Sequence, residues 1–373
     1  MTPPLTRRRF LAASAGAAPA LGLSATPALA DDRRSRPFGP YGDPARRRDP
    51  LTLYVDQRGR GDFTTVQAAV TAATAAGQTL VIAPGVYRET VSAPATATGM
   101  TWIGAGGDAR DTVIVHDNAA GTPKPDGSGT YGTTGSATVT LRGDGFTAQG
   151  ITFANDWLRA DHPGISGTQA VALKVMGDRS AFFGCRFLGH QDTLYADSLA
   201  LTAFARQYFR DCYAEGDVDF VFGRATAVFD HCHFRTLDRT DLAAAPYGFV
   251  FAPSTAAADP NGYLVTRSRF TSTAPDASYK LARPWVPSSD TTARPSLVVR
   301  DSQLSAGIDA VAPYTNMSDS FPWQRQRFAE YHNSGPGAAV SVPENRPQLT
   351  DAQAESATRT GYLGDWTPRP VRP

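Results

Sequence analysis

The chain has 373 residues, with 36 Lys and Arg against 35 Asp and Glu and a formal net charge of +1. That balance excludes the basic footprint of a nucleic-acid binder or of a membrane-seeking surface. Three cysteines cannot all pair with one another, which excludes a disulfide framework.

Residues 1–30 read as an address. Thr6-Arg7-Arg8-Arg9-Phe10-Leu11 is a charged region with paired arginines, an apolar Ala-rich run follows to Leu23, and Ala28-Leu29-Ala30 is a small-x-small cleavage site. The apolar run is roughly 15 residues, too short to span a bilayer comfortably. The arginine pair points to the twin-arginine route and a secreted product. Substrates of that route fold before export, in a reducing compartment, so free buried thiols are expected. Residues 31–50 form a flexible Arg-, Pro- and Gly-rich lead-in. Residues 51–366 then read as one body without an internal linker, and 367–373 as a tail. No membrane association is expected after signal removal, and a monomer is expected.

Thr65-Val66-Gln67-Ala68-Ala69-Val70-Thr71-Ala72-Ala73 is the one good helix candidate, with Thr64 or Thr65 as N-cap and Gly77 as stop. It precedes a series of short strand-forming runs that resemble one another. With Ile151, Cys185, Cys212, Cys232, Ser268 and Ser302 taken as equivalent, the interval is roughly 20 to 36 residues. A variable period, short strands and no helices between them predict an all-β chain wound as a parallel β-helix, with the helix at 65–73 as its N-terminal cap. A sandwich would show more even hairpin spacing, and a βαβ sheet would need more amphipathic helices. The cysteines then fall in a core column.

Gly189-His190-Gln191-Asp192-Thr193-Leu194-Tyr195 and Asp217-Val218-Asp219-Phe220-Val221-Phe222-Gly223 each set a carboxylate among strand-forming apolar residues. Such a carboxylate is costly unless paired or functional. Equivalent residues one coil apart lie about 4.8 Å from each other. Asp192 and Asp219 are about one coil apart, and Gln169 about one coil before Asp192. Gln169, Asp192 and Asp219 are therefore expected in one column. Gln191 adjoins it, turned aside unless the backbone bends. Asp217 reads as a turn or surface residue and His190 as a neighbour. His231 and His233 flank Cys232, but no further ligands stand at a diagnostic spacing, so they read as a solvated or packed pair and no metal site is assigned.

Four blocks in order resemble the signatures of the pectin methylesterases: Gln169-Ala170-Val171-Ala172-Leu173, Gln191-Asp192-Thr193-Leu194-Tyr195, Asp219-Phe220-Val221-Phe222-Gly223 and Leu281-Ala282-Arg283-Pro284-Trp285. Weaker matches stand at residues 62–69, 84–89 and 330–338. The resemblance implies a right-handed parallel β-helix that removes methyl esters from homogalacturonan without a cofactor. It implies Asp219 as nucleophile and Asp192 as general acid, then base. Gln169 and Gln191 would supply the oxyanion hole, Arg283 would hold the nucleophile, and Trp285, Tyr195 and Phe222 would line the sugar cleft. Two departures stand out. Ala282 replaces the family's usual Gly, so its Cβ is expected to nudge Arg283, and Arg224 replaces a common Asn, adding charge near the cleft.

Other readings of the same residues are a pectate lyase or polygalacturonase, an esterase or thioesterase for another acyl group, and a non-catalytic glycan-binding module. No Asp-Asp pair stands in the repeats, which disfavours the first two. A glycan-binding module would not need two Asp, two Gln and an Arg to converge. No Gly-x-Ser-x-Gly elbow is present for a serine esterase.

Overall fold

The computed structural model describes residues 49–371. The export signal and nearly all of the lead-in lie outside the described residues. Within the described residues the chain winds into a right-handed parallel β-helix made of three sheets. The first sheet has ten strands and runs from Thr52–Val55 to Arg327–Tyr331, and the second and third have seven each. Each complete coil places one strand in each sheet, the first sheet extending beyond the others at its ends, and neighbouring coils pair in parallel register, as in Arg186 over Thr152 and Tyr213 over Arg186.

The register follows the repeats closely. Successive pairings of Thr152, Arg186, Tyr213, His233 and Arg269 stack the residues just before them: Ile151, Cys185, Cys212, Cys232 and Ser268. A bridge from Arg269 to Gln303 adds Ser302. All three thiols are free and buried. Further along, the column turns polar to satisfy the backbone. Ser268 Oγ accepts from the Cys232 amide at 3.0 Å, Ser302 Oγ from the Ser268 amide at 3.0 Å, and Asn333 Oδ1 from the Ser302 amide at 3.1 Å. The residue before each column member turns the chain from the first sheet into the second with positive φ: Gly150, Gly184, Asp211, His231, Arg267 and Asp301. Glycine takes that conformation without strain, and Asp and His are among the side chains that tolerate it.

Inside the coils, Phe182, Phe209 and Phe229 stack with ring centroids 4.9 and 4.7 Å apart. Each such pair contributes about 0.5–1.5 kcal/mol beyond the area it buries. The N-terminal end is covered by helix Val66–Ala72, which packs on strands Thr52–Val55 and Val91–Ala93. Thr65 caps it by accepting from the Ala68 amide. The Glu89 carboxylate takes the Val66 and Gln67 amides at 2.8 and 2.9 Å, where the helix dipole favours an anion. The helix ends at Ala72, with Ala73 as its C-cap. Gly77, expected as its stop, stands beyond that end, across a short turn.

The other end is tied by a buried ion pair. Arg346 and Glu330, 0% and 1% exposed, meet through Nε at 3.0 Å and Nη2 at 2.6 Å. Arg346 also donates to the Gly337 carbonyl, and Glu330 accepts from Tyr314 and Asn333. Breaking such a pair strands a buried charge, which costs about 3–5 kcal/mol. Arg346→Met is therefore expected to lower unfolding free energy by about that amount. Denaturant unfolding checks it, and a change under about 0.5 kcal/mol, the size of an ordinary surface substitution, would contradict it. Short helices Asp351–Ala354 and Arg359–Leu363 follow, and Tyr362 and Leu363 pack on Tyr208, Val228 and Leu264 of the first sheet. The outer face of the third sheet carries the site residues described next.

Candidate active site

Strands Leu194–Ala196 and Val221–Gly223 of the third sheet pair with Leu194 over Val221 and Tyr195 over Phe222. The Asp192 amide extends the ladder by donating to the Val218 carbonyl at 2.9 Å, which sets Asp192 over Asp219. The expected stacking of the two acids is present. Both have positive φ, 65° and 50°, so the chain bends at each where it leaves the second sheet for the third. Non-glycine residues hold that conformation only where the surroundings enforce it. Both are almost completely buried, at 7% and 6% exposure. Gly223, with φ of 122°, closes the same strand, and a Cβ there would meet the Ala196 carbonyl oxygen at 2.0 Å.

Arg283 reaches back to Asp219 as a fork. Its Nε donates to Oδ1 at 2.8 Å and its Nη2 to Oδ2 at 2.6 Å, while the guanidinium lies 3.8 Å over the Phe249 ring. The two acids consequently differ. Burial, then the neighbouring Asp219 charge, pushes the Asp192 carboxyl well above the ordinary carboxylate range. Burial raises Asp219 as well, but the Arg283 hydrogen bonds and charge oppose it. Asp219 therefore ionises first and Asp192 keeps the proton. The Ala282 methyl is fully buried in the core, and Arg283 beside it makes both bonds to Asp219.

Gln169 departs from its expected place. The Ala170 amide donates to the Gln191 carbonyl at 3.0 Å, so Ala170 stacks on Asp192 and Gln169 stacks beside Gln191. Gln169 and Gln191 are therefore equivalent residues on neighbouring coils. Asp217 departs too. It is fully buried, bound by Arg159 Nη1 and Nη2 at 2.6 and 2.8 Å and by His190 Nδ1 at 3.2 Å. These partners hold its carboxyl far below the ordinary range despite its burial. Arg159 was not singled out from the sequence, because it follows the strands on an irregular segment that carries no repeat signal.

An apolar wall adjoins the acids. Tyr195 and Phe222 stack at 4.1 Å, and Trp285, half-buried, meets them at 6.1 and 5.8 Å. Below the wall, Asp197 lies 3.0 Å from Lys174 Nζ and 2.9 Å from Arg224 Nε, so the Arg224 charge is spent on Asp197. Lys174 Nζ sits 4.2 Å over the Tyr195 ring. His231 pairs with Asp230 at 2.8 Å and His233 with Thr271 at 2.7 Å, so both are packed into hydrogen bonds of their own.

Comparison with known proteins bears on this arrangement. The pectinesterase family profile matches residues 52–365. The chain belongs to the pectinesterase family. Within that family it is similar to Pectinesterase A of Dickeya chrysanthemi, 36% identical over 282 residues, which cover 68% of this chain and 75% of the relative. It is also similar to the pectinesterase of Ralstonia nicotianae, 34% identical over 313 residues, 75% of this chain and 78% of the relative. Among solved structures, a pectin methylesterase in complex with a hexasaccharide superposes with a TM-score of 0.76 at 32% identity, over 86% of this chain and 98% of that one. Pectin methylesterase PemA from Erwinia chrysanthemi gives 0.74 at 33% identity, over 85% and 98%. The fold of this pectinesterase is thus that of solved pectin methylesterases.

Proposed function

We propose that this pectinesterase hydrolyses methyl esters through an acyl-enzyme on Asp219, with Asp192 moving the protons. The enzyme is a carboxylic ester hydrolase and its reaction is demethylation of pectin, as its family membership states. The observation that carries the mechanism is the pair of stacked carboxyls, of which Arg283 grips only one.

The steps follow from those charges. An ionised Asp219 oxygen attacks the ester carbonyl carbon, and the carbonyl electrons become an oxyanion. Gln169 and Gln191 side-chain NH2 groups donate to that oxyanion, each such donor lowering the barrier by about 2.7–4 kcal/mol. The intermediate collapses, the C–O bond to methoxide breaks, and Asp192 gives methoxide its proton, so methanol leaves. A mixed anhydride now joins Asp219 to the uronate carbonyl. The Asp192 carboxylate removes a proton from water, the hydroxide adds to the same carbonyl, and Asp219 departs as carboxylate. Asp192 ends protonated, ready for the next ester. No step requires a cofactor.

Methanol release from highly methylated pectin, with Asp219→Asn as control, tests the reading. Trp285 offers the face on which a sugar ring rests, backed by the buried rings of Tyr195 and Phe222. Trp285→Ala is expected to raise KM for pectin about 2- to 12-fold, the equivalent of an aromatic contact of about 0.5–1.5 kcal/mol, with the fold intact. An unchanged KM would remove Trp285 from the sugar cleft. Among the described residues no helix is long and apolar enough to cross a membrane. The leader at residues 1–30 supports export by the twin-arginine route to an extracellular polymer.

A further inference from the structure

The third buried carboxylate of the site, Asp217, takes no part in the steps above, yet it is completely enclosed and held by a bidentate guanidinium. A structural ion pair would account for that much. It would not account for where Arg159 points next. Its Nη2, besides binding Asp217, lies 3.5 Å from Gln191 Oε1, and the Thr168 hydroxyl donates to the same oxygen at 2.6 Å.

A glutamine amide has two ends of nearly equal shape and opposite hydrogen-bonding sense. Turned one way, Gln191 offers an NH2 to a developing oxyanion. Turned the other way, it offers an oxygen, which repels it. The Thr168 hydroxyl cannot settle the choice, because a hydroxyl both donates and accepts. A guanidinium has only N–H donors, so the amide atom facing Arg159 must be the oxygen. We infer that the Arg159–Asp217 pair is a positioning device that fixes the sense of the Gln191 amide, leaving its NH2 end for the oxyanion.

The surrounding structure suits that task. Arg159 opens the 3-10 turn Arg159–Asp161. The segment before the turn is anchored by Asn155, whose Nδ2 donates to the Asn118, Ser136 and Val171 carbonyls. Trp157 and His162 stack across the turn at 5.1 Å with ring planes 6° apart. Asp217 in turn is fixed by His190 and by donation from the Val218 amide to its Oδ1. The guanidinium is thus held from both sides, and the Gln191 backbone is locked by the Ala170 amide on its carbonyl. The sense of the amide about its last torsion is what Arg159 sets.

The inference rests on Gln191 being an oxyanion donor in the proposed reaction. The test is a double-mutant cycle on methanol release. Arg159→Gln replaces a donor-only group by an amide that tolerates either sense of Gln191. It is expected to lower kcat about 10-fold with KM within about 2-fold, a part of the roughly 10²–10³-fold loss on removing an oxyanion donor outright. Arg159→Lys, again donor-only, is expected to recover most of that loss. In a Gln191→Ala background, which has no amide to orient, Arg159→Gln is expected to change kcat less than about 2-fold. An equal drop in both backgrounds, a change confined to KM, or no change on the native background would each overturn the inference. Should Arg159→Gln fail to fold, the same cycle with Arg159→Lys decides: near-native kcat supports it, and a drop of about 10-fold that is independent of Gln191 refutes it. If the native enzyme releases no methanol at all, the proposed function fails before the cycle begins. If it does and the cycle is additive, only the role of Arg159 falls.

Discussion

Asp219→Asn is expected to abolish methanol release from methylated pectin while leaving the protein folded. An amide oxygen is a far poorer nucleophile than a carboxylate, and removal of a nucleophile costs on the order of 10⁶ in kcat. The substitution preserves shape, so the stacked register of Leu194 over Val221 and the wall of Tyr195 and Phe222 are retained. Its structural cost lies in the Arg283 guanidinium, which loses the anion it grips through two bonds. Stranding one partner of a buried pair costs about 3–5 kcal/mol, which circular dichroism and thermal melting measure apart from activity. Turnover near the native rate in a correctly folded Asp219→Asn protein would remove the covalent mechanism.

The Asp192→Asn variant separates two consequences of one buried proton. The first is catalytic. Without an acid to protonate methoxide or a base to take a proton from water, kcat is expected to fall about 10²–10⁴-fold. In the native enzyme the rate should decline as pH rises through the elevated Asp192 pKa, because deprotonation leaves nothing to give the leaving group. That alkaline limb should vanish in the residual activity of the variant. The second consequence is thermodynamic. The folded Asp192 pKa lies well above its unfolded value. The native state therefore binds this proton more tightly, and the associated stability is fully present below the unfolded pKa. It is lost as pH rises through the folded one. Asparagine does not titrate, so the variant keeps its stability across that window. Asp192→Asn should melt at a higher temperature than the native enzyme above the raised pKa, by about 2–4 °C per kcal/mol. A lower melting temperature there would show that burial does not raise the Asp192 carboxyl above its unfolded value.

The repeats were legible in the sequence because each coil must bury the same kind of side chain at the same step. Ile151, Cys185, Cys212, Cys232, Ser268 and Ser302 declared their equivalence by their surroundings, and the register agrees at every pairing. The stacking of Asp192 on Asp219 followed from that periodicity. The place of Gln169 did not, since coils vary in length and an approximate interval left the register one residue out, with Ala170 at the Asp192 position. Asp217 was misjudged for a related reason. A lone Asp before Val218 has the look of a turn residue until Arg159, far away in sequence, is seen to enclose it.

Sequence alone determined the winding of this chain, the column of thiols and the two acids that face each other, because a solenoid converts repeat spacing into distance along its axis. Only the tertiary structure decided that Asp217 is enclosed by Arg159 and that Gln169 stands level with Gln191. Those depend on a guanidinium that arrives from a segment remote in the chain and on the length of each coil. Burial and charge act through space, and no local pattern of residues records them.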